Sequence, residues 1–305
     1  MVGMTVICEL VAGPCGPTRV AAAEGFEQLT FAGGEPHINV ADPDRIDGRR
    51  YLIDLRCDSF DELGAAFVAN DVLRRGHAAE VVLYCPYLPG ARQDRAEHGA
   101  PLTAKVYADI INAAGFDRVV CIDPHSPVMP ALLDRVAVIG AADVIDPAFL
   151  DGDGRPVVLI CPDAGAAKRT EQIAERFALD VVYARKQRNP HTGGLDRFHC
   201  PPIDDETIAV VVDDICDGGG TFLGLADVLD RPAEVMRLWT SHGIYSRGLD
   251  LLSGRYSRIG STDSFPSLHG HDPRLTRVTT MPALQAALTA NPHRCRHDAG
   301  PKEMI

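Results

Sequence analysis

The chain has 305 residues, of which 46% are hydrophobic and 24% charged; this excludes a disordered polymer and allows one large globular domain or two ordinary ones. A formal net charge of −12 removes the broad electrostatic attraction that nucleic acid and anionic membranes need, so neither is an expected partner. No apolar run is long enough to span a bilayer, the opening MVGMTVICEL lacks the basic start and long apolar core of a secretion signal, and nine cysteines without a CxxC pair point to a reducing cytosol and a cytoplasmic protein.

In chain order, Gly33 and Gly34 of GGEPH mark a turn after Phe31, with Glu35 and His37 beyond it. Apolar, β-branched runs predict strands over Tyr51–Leu55, Glu80–Cys85, Arg118–Ile122, Pro156–Cys161, Val181–Tyr183 and Ile208–Val212. Amphipathic spacing predicts helices over Phe60–Arg75, Leu102–Ala114, Ala167–Leu179 and Thr221–Leu229. Gly76 and Gly115 stand where helix C-terminal caps are expected. Such alternation predicts mainly parallel sheets covered by helices on both faces, with ligands beyond the C-terminal ends of the strands. VVLYCPYLPGA (81–91) echoes VVLICPDAGAA (157–167), which predicts two similar α/β halves with a seam near residues 142–153. The expected division is 1–145, 146–290 and a polar tail over 291–305.

The strand ends carry the chemistry. PYLPGARQDR (86–95) brings Arg92 and Gln93 into a turn, where planar guanidinium groups suit phosphate oxygens and a charged surface loop is an equal reading. IDPHS (122–126) offers Asp123 and His125 to a metal or a phosphate, against a structural histidine. CPDAGAAKR (161–169) sets Asp163 before a helix, either near an anion or as a simple cap. ARKQRNPHTGG (184–194) places Lys186 and Arg188 two apart in a basic segment that, extended, presents both on one face and can close over a polyphosphate, although taken alone such a run reads first as a solvated surface loop.

The most informative stretch is VVVDDICDGGGTF (210–222). A buried strand delivers Asp213 and Asp214, then Asp217, Gly218, Gly219, Gly220 and Thr221 turn into a helix. Glycines admit an anion close to backbone N–H groups, and the helix N-terminus adds partial positive charge. Adjacent carboxylates suit adjacent hydroxyls such as those of a ribose, so the element fits a sugar phosphate.

The ordered set FAGGE, PYLPGARQDR, PLTAK, IDPH, CPDAG, KQR and VVDDICDGGGT, over residues 31 to 221, resembles the ribose-phosphate pyrophosphokinase (phosphoribosyl pyrophosphate, PRPP, synthetase) family, with weaker similarity through TSHGIYSRG (240–248) and STDSFP (261–266). The resemblance implies two phosphoribosyltransferase-like α/β domains and transfer of the diphosphoryl group of MgATP to the 1-hydroxyl of ribose 5-phosphate, giving PRPP and AMP. It implies ATP binding by Arg92 and Gln93 and by the loop of Phe31, Gly33, Gly34 and Glu35, the latter often meeting adenine from a neighbouring subunit of a homo-oligomer. It implies ribose binding by the Asp213–Asp214 pair and 5-phosphate binding by Asp217, Gly218, Gly219, Gly220 and Thr221. His125 and Asp163 match magnesium-associated positions, so Mg²⁺ is the implied cofactor, and Lys186 and Arg188 match the catalytic pair. Gly33 replaces the family's usual Asp, Gly218 its usual Thr, and residues 96–100 are short. Three alternatives compete: an acceptor substituted on its 5-phosphate, such as ADP-ribose; a non-catalytic subunit of the same kind; and a phosphoribosyltransferase that consumes PRPP.

Overall fold

Continuous buried runs, punctuated by helices, build two six-stranded sheets one after the other. The computed structural model describes residues 5–13, 16–96, 99–188, 195–266 and 271–290. In chain order the first lobe lays down β1 (Thr5–Gly13), β2 (Gly16–Ala22), the hairpin β3 (Phe26–Thr30) and β4 (Pro36–Val40), β5 (Arg50–Leu55), α1 (Phe60–Arg75), β6 (Glu80–Tyr84), α2 (Thr103–Ala113), β7 (Arg118–Ile122), α3 (Val128–Leu132) and β8 (Val136–Ile139). Its sheet runs β2-β1-β5-β6-β7-β8, antiparallel around β1 and parallel from β5 onward. All five residues of β6 and of β7 are buried, as expected of parallel strands covered on both faces. Asp61 and Glu62 occupy the first turn of α1, and Arg74 and Arg75 the last, each matching the helix dipole.

The second lobe follows with β9 (Val157–Cys161), α4 (Ala167–Phe177), β10 (Asp180–Tyr183), the hairpin β11 (Arg185–Arg188) and β12 (Leu195–His199), β13 (Ile208–Cys216), α5 (Gly220–Leu229), β14 (Met236–Gly243), α6 (Asp250–Ser253), β15 (Arg258–Thr262), β16 (Leu275–Val278) and α7 (Met281–Ala290). Its sheet runs β10-β9-β13-β14-β15-β16 and is parallel throughout. The expected class, α/β with two mainly parallel sheets flanked by helices, is the class observed. The two echoing segments become β6 and β9, each with the turn that follows it. The expected seam at 142–153 is a pair of short 3₁₀ turns around Ala141–Asp143 and Pro147–Phe149.

Two features tie the lobes together. Helix α7 follows the last strand of the second sheet but packs its Leu284 and Leu288 on Cys8, Leu10, Leu52 and Tyr84 of the first. Arg56, just past β5, donates to Asp54 and reaches across to the Asp263 carbonyl (2.7 Å) and carboxylate (3.0 Å) before α7. The seven described cysteines are free thiols, and no described helix is long and apolar enough to cross a membrane.

Candidate active site

The C-terminal ends of β6 and β7 face those of β9 and β13 across a cleft of about 1290 Å³. Arg92, Gln93 and His125 line it from the first lobe; Asp163, Arg169, Asp213 and Asp214 line it from the second. Six residues singled out in the sequence for the nucleotide, the metal and the sugar, Arg92, Gln93, His125, Asp163, Asp213 and Asp214, thus share one space.

The strand that carries the carboxylates is longer than its apolar run. β13 continues through Asp213 and Asp214 to Cys216, because the parallel pairing with β14 extends to Cys216 opposite Gly243. The two carboxylates therefore differ in burial: Asp214 is buried and Asp213 half-buried. Burial pushes the Asp213 carboxyl well above the usual range, and the charge of Asp214 adds to it. Burial acts on Asp214 in the same direction, but the hydrogen bond from His125 and the Arg169 charge outweigh it and hold Asp214 below the usual range. Both carboxyls line the cleft, and their surroundings push them apart, Asp213 upward and Asp214 downward.

Asp214 is the hub of a buried network. His125 Nδ1 lies 2.6 Å from Asp214 Oδ2, a contact that raises the imidazole's affinity for its proton against the opposing effect of burial. Arg169 Nη1 sits 3.5 Å from Asp214 Oδ1 and 3.3 Å from Asp123 Oδ1, and its Nη2 donates to the His125 carbonyl at 3.4 Å. Ser241 Oγ donates to Asp123 Oδ2 at 2.5 Å. Burial raises Asp123 to about 6 despite Arg169 and Ser241. His242, fully enclosed, donates from Nε2 to the Ile122 carbonyl at 3.1 Å and accepts at Nδ1 from Ser264 Oγ at 2.7 Å; burial lowers it to about 4, so it is neutral. Asp123 occupies the left-handed backbone region (φ 33°), a conformation aspartate tolerates better than most residues. Side chains from β14 and α4 therefore hold the Asp123–His125 turn of the opposite lobe.

The glycine loop forms as the sequence predicts, one residue early: α5 begins at Gly220, with Gly219 as N-cap at φ 75°. Arg92 Nη1 donates to Asp217 Oδ2 at 2.8 Å, so the Arg92 turn reaches the loop directly. Ser246 Oγ donates to Asp217 Oδ1 at 2.6 Å; these two bonds, Ser246 first, hold the Asp217 carboxyl below the usual range. Asp163 serves as the cap of a 3₁₀ turn, its Oδ1 accepting from Gly165 N (3.0 Å) and Ala166 N (3.2 Å). The basic segment is a two-stranded arm: Lys186 pairs with Phe198 and Arg188 with Leu195, with a register shift between Gln187 and Arg188. Its base, Tyr183 to Arg185, lines the cleft, and its tip at 189–194 lies outside the described residues.

Other predicted positions stand apart. Phe31 is 55% exposed at the β3–β4 turn, its ring 5.3 Å from that of His37; neither it nor Gly33, Gly34 or Glu35 lines the cleft. Asp217 and Gly218–Thr221 are not among its lining residues; the Arg92–Asp217 contact is what ties them to it. Sequence reasoning gave no role to Arg169, Ser241 or His242. For Arg169 a signal existed: with Ile173 and Phe177 it falls on the buried face of α4 at i, i+4, i+8, and a cation on such a face needs a carboxylate partner.

A family model for the N-terminal domain of ribose phosphate pyrophosphokinase matches residues 25–115, and one for the phosphoribosyl transferase domain matches residues 132–241. A ribose-phosphate pyrophosphokinase from Campylobacter jejuni is 30% identical over 237 residues, covering 76% of this chain and 74% of the relative. One from Granulibacter bethesdensis is 30% identical over 214 residues, 67% of each protein. The crystal structure of a phosphoribosylpyrophosphate synthetase from Mycobacterium smegmatis aligns with a TM-score of 0.73 over 88% of this chain and 91% of that one; at 22% identity the likeness is one of fold.

Proposed function

Because the chain belongs to the ribose-phosphate pyrophosphokinase family, we infer that it transfers the β,γ-diphosphoryl group of ATP to the 1-hydroxyl of ribose 5-phosphate, yielding PRPP and AMP. The observation that carries this reading is the Arg92–Asp217 ion pair at 2.8 Å. It joins the turn matched to ATP with the loop matched to the sugar phosphate, so both substrates are bound within reach of each other. Diphosphoryl transfer needs the attacking hydroxyl in line with the β-phosphorus, and most of the catalysis is positioning and charge neutralisation.

In this reading Asp213 binds the ribose hydroxyls. Asp214 anchors His125. Asp217, Gly218, Gly219, Gly220 and Thr221 take the 5-phosphate at the N-terminus of α5. Arg92 and Gln93 contact the nucleotide, while Phe31, Gly33, Gly34 and Glu35 meet the adenine of a neighbouring subunit in a homo-oligomer. That arrangement accounts for a ring 55% exposed and remote from its own cleft. Lys186 and Arg188, on the β11–β12 arm, swing charge onto the transferring group.

Magnesium fits the residues present. His125, Asp163 and Asp213 line one cleft, yet no group of three or more His, Cys, Asp or Glu among the described residues forms a cage for a metal ion. That is the setting of an ion which takes most of its ligands from phosphate oxygens and water. When bound, it neutralises the β- and γ-phosphate oxygens; His125 and Asp163 would hold it. A cytoplasmic location belongs to the same reading. Purified protein mixed with ribose 5-phosphate and MgATP, over a range of phosphate concentrations, should release AMP and PRPP in equal amounts. Absence of AMP above background at every phosphate level would reject the assignment.

A further inference from the structure

Gly218 and Arg247 meet at the rim of the Asp217–Thr221 loop. A Cβ added to Gly218 would lie 3.4 Å from Arg247 Nε and 3.5 Å from its Cδ. A side chain at 218 would therefore meet the Arg247 stem and Nε at van der Waals distance from its first carbon. Its neighbours are pinned: Ser246 donates to Asp217 through both Oγ (2.6 Å) and backbone N–H (3.1 Å to the carbonyl), and Gly248 N–H closes a turn on the Tyr245 carbonyl at 2.9 Å. Arg247 is thus carried on a fixed turn beside the loop. The two arginines flanking the loop differ in commitment. Arg92 is bonded to Asp217, whereas Arg247 is exposed and acts on Asp217 through its charge, with no hydrogen bond to it among the described residues.

We propose that Arg247 is the specificity-determining cation for the sugar's 5-phosphate, and that Gly218 keeps its guanidinium's path to that phosphate open. This rests on the reading of the loop as a 5-phosphate site. A guanidinium is a planar donor fork that takes two phosphate oxygens at once. The ligand class that satisfies it is a phosphomonoester dianion, which offers oxygens to Arg247, to the loop N–H groups and to Thr221 together. A side chain at 218 is accommodated as far as its Cβ, but its outer atoms would stand between the guanidinium and the anion.

The test is calorimetric titration of ribose 5-phosphate into the full-length protein without nucleotide, comparing wild type with R247Q, R247K and G218T. MgATP titration and AMP release are run alongside. R247Q is expected to weaken ribose 5-phosphate about 10- to 100-fold, the size of one or two charge-assisted hydrogen bonds, and to leave MgATP affinity within about twofold. R247K should recover part of the loss, and G218T should weaken ribose 5-phosphate while sparing MgATP. Equal binding by R247Q and wild type, in an enzyme that releases AMP, overturns the role of Arg247 and leaves the diphosphokinase reading intact. Arg247-dependent binding of ribose 5-phosphate without AMP release does the reverse. Equal losses for both ligands in R247Q, or no binding of ribose 5-phosphate by wild type, also overturn the proposal.

Discussion

Replacing Arg169 with methionine keeps an unbranched apolar stem and removes the guanidinium with its charge. One guanidinium nitrogen lies 3.3 Å from Asp123 and 3.5 Å from Asp214, with all three side chains under 10% exposed. At an effective dielectric of about 20, each pair at these separations is attracted by about 5 kcal/mol. Desolvation of the three groups offsets most of that sum, and removing one partner of a buried pair typically costs about 3–5 kcal/mol. Asp123, already raised to about 6, escapes part of the penalty by taking up a proton. The expected loss at pH 7 is therefore about 3 kcal/mol, near the lower end of that range. Guanidinium denaturation reads it as a lower midpoint with an unchanged slope. Asp123→Asn in the Arg169→Met background should then cost at least about 1 kcal/mol less than it does alone, because the charge it removes is no longer neutralised. An Arg169→Met protein within about 1 kcal/mol of wild type, or strict additivity in the pair, would refute the view of Arg169 as the counter-charge of the Asp123–Asp214 network.

Lys186→Ala is expected to lower turnover about 100-fold or more while changing the binding of either substrate far less; unchanged AMP release would remove Lys186 from the catalytic role. His242, lowered to about 4 by burial, binds fewer protons folded than unfolded. Its contribution is whole above the ordinary histidine value of about 6.5, is lost as pH falls from there to about 4, and amounts to about 3 kcal/mol. Urea melts at pH 7 and pH 4.5 should show His242→Gln losing less stability on acidification than wild type; the same loss in both would contradict this assignment.

The parts of the molecule built on unbroken apolar runs were legible in the sequence. Arg118–Ile122 and Phe60–Arg75 fall where their patterns put them, since burial on both faces fixes the strand and Gly76 closes the end of the helix. β14 was not legible, though every residue of it is buried. Its Arg237, Ser241 and His242 find partners only in the folded chain: Arg237 on the Phe149 carbonyl, Thr262 on Ser241, Ser264 on His242. A composition that reads as a surface loop thus runs through the centre of a sheet. The first strands escaped for the opposite reason. β3 and β4 are largely exposed and alternate irregularly, so they carry little apolar signal. At the site, the residues near strand ends could be read because turns and glycines mark them. Their supports could not, because Arg169 meets Asp123 from 46 positions away and only the docking of the lobes brings them together.

The return of α7 to the opposite sheet means that the polypeptide passes between the two bodies twice. A chain cut near residue 145 would leave Leu10, Leu52 and Tyr84 facing water, robbed of Leu284 and Leu288. Each half depends on the other for its own solubility. Two connections constrain the relative motion of the halves more tightly than one tether would, and the β11–β12 arm, whose base lines the cleft, belongs to neither six-stranded sheet.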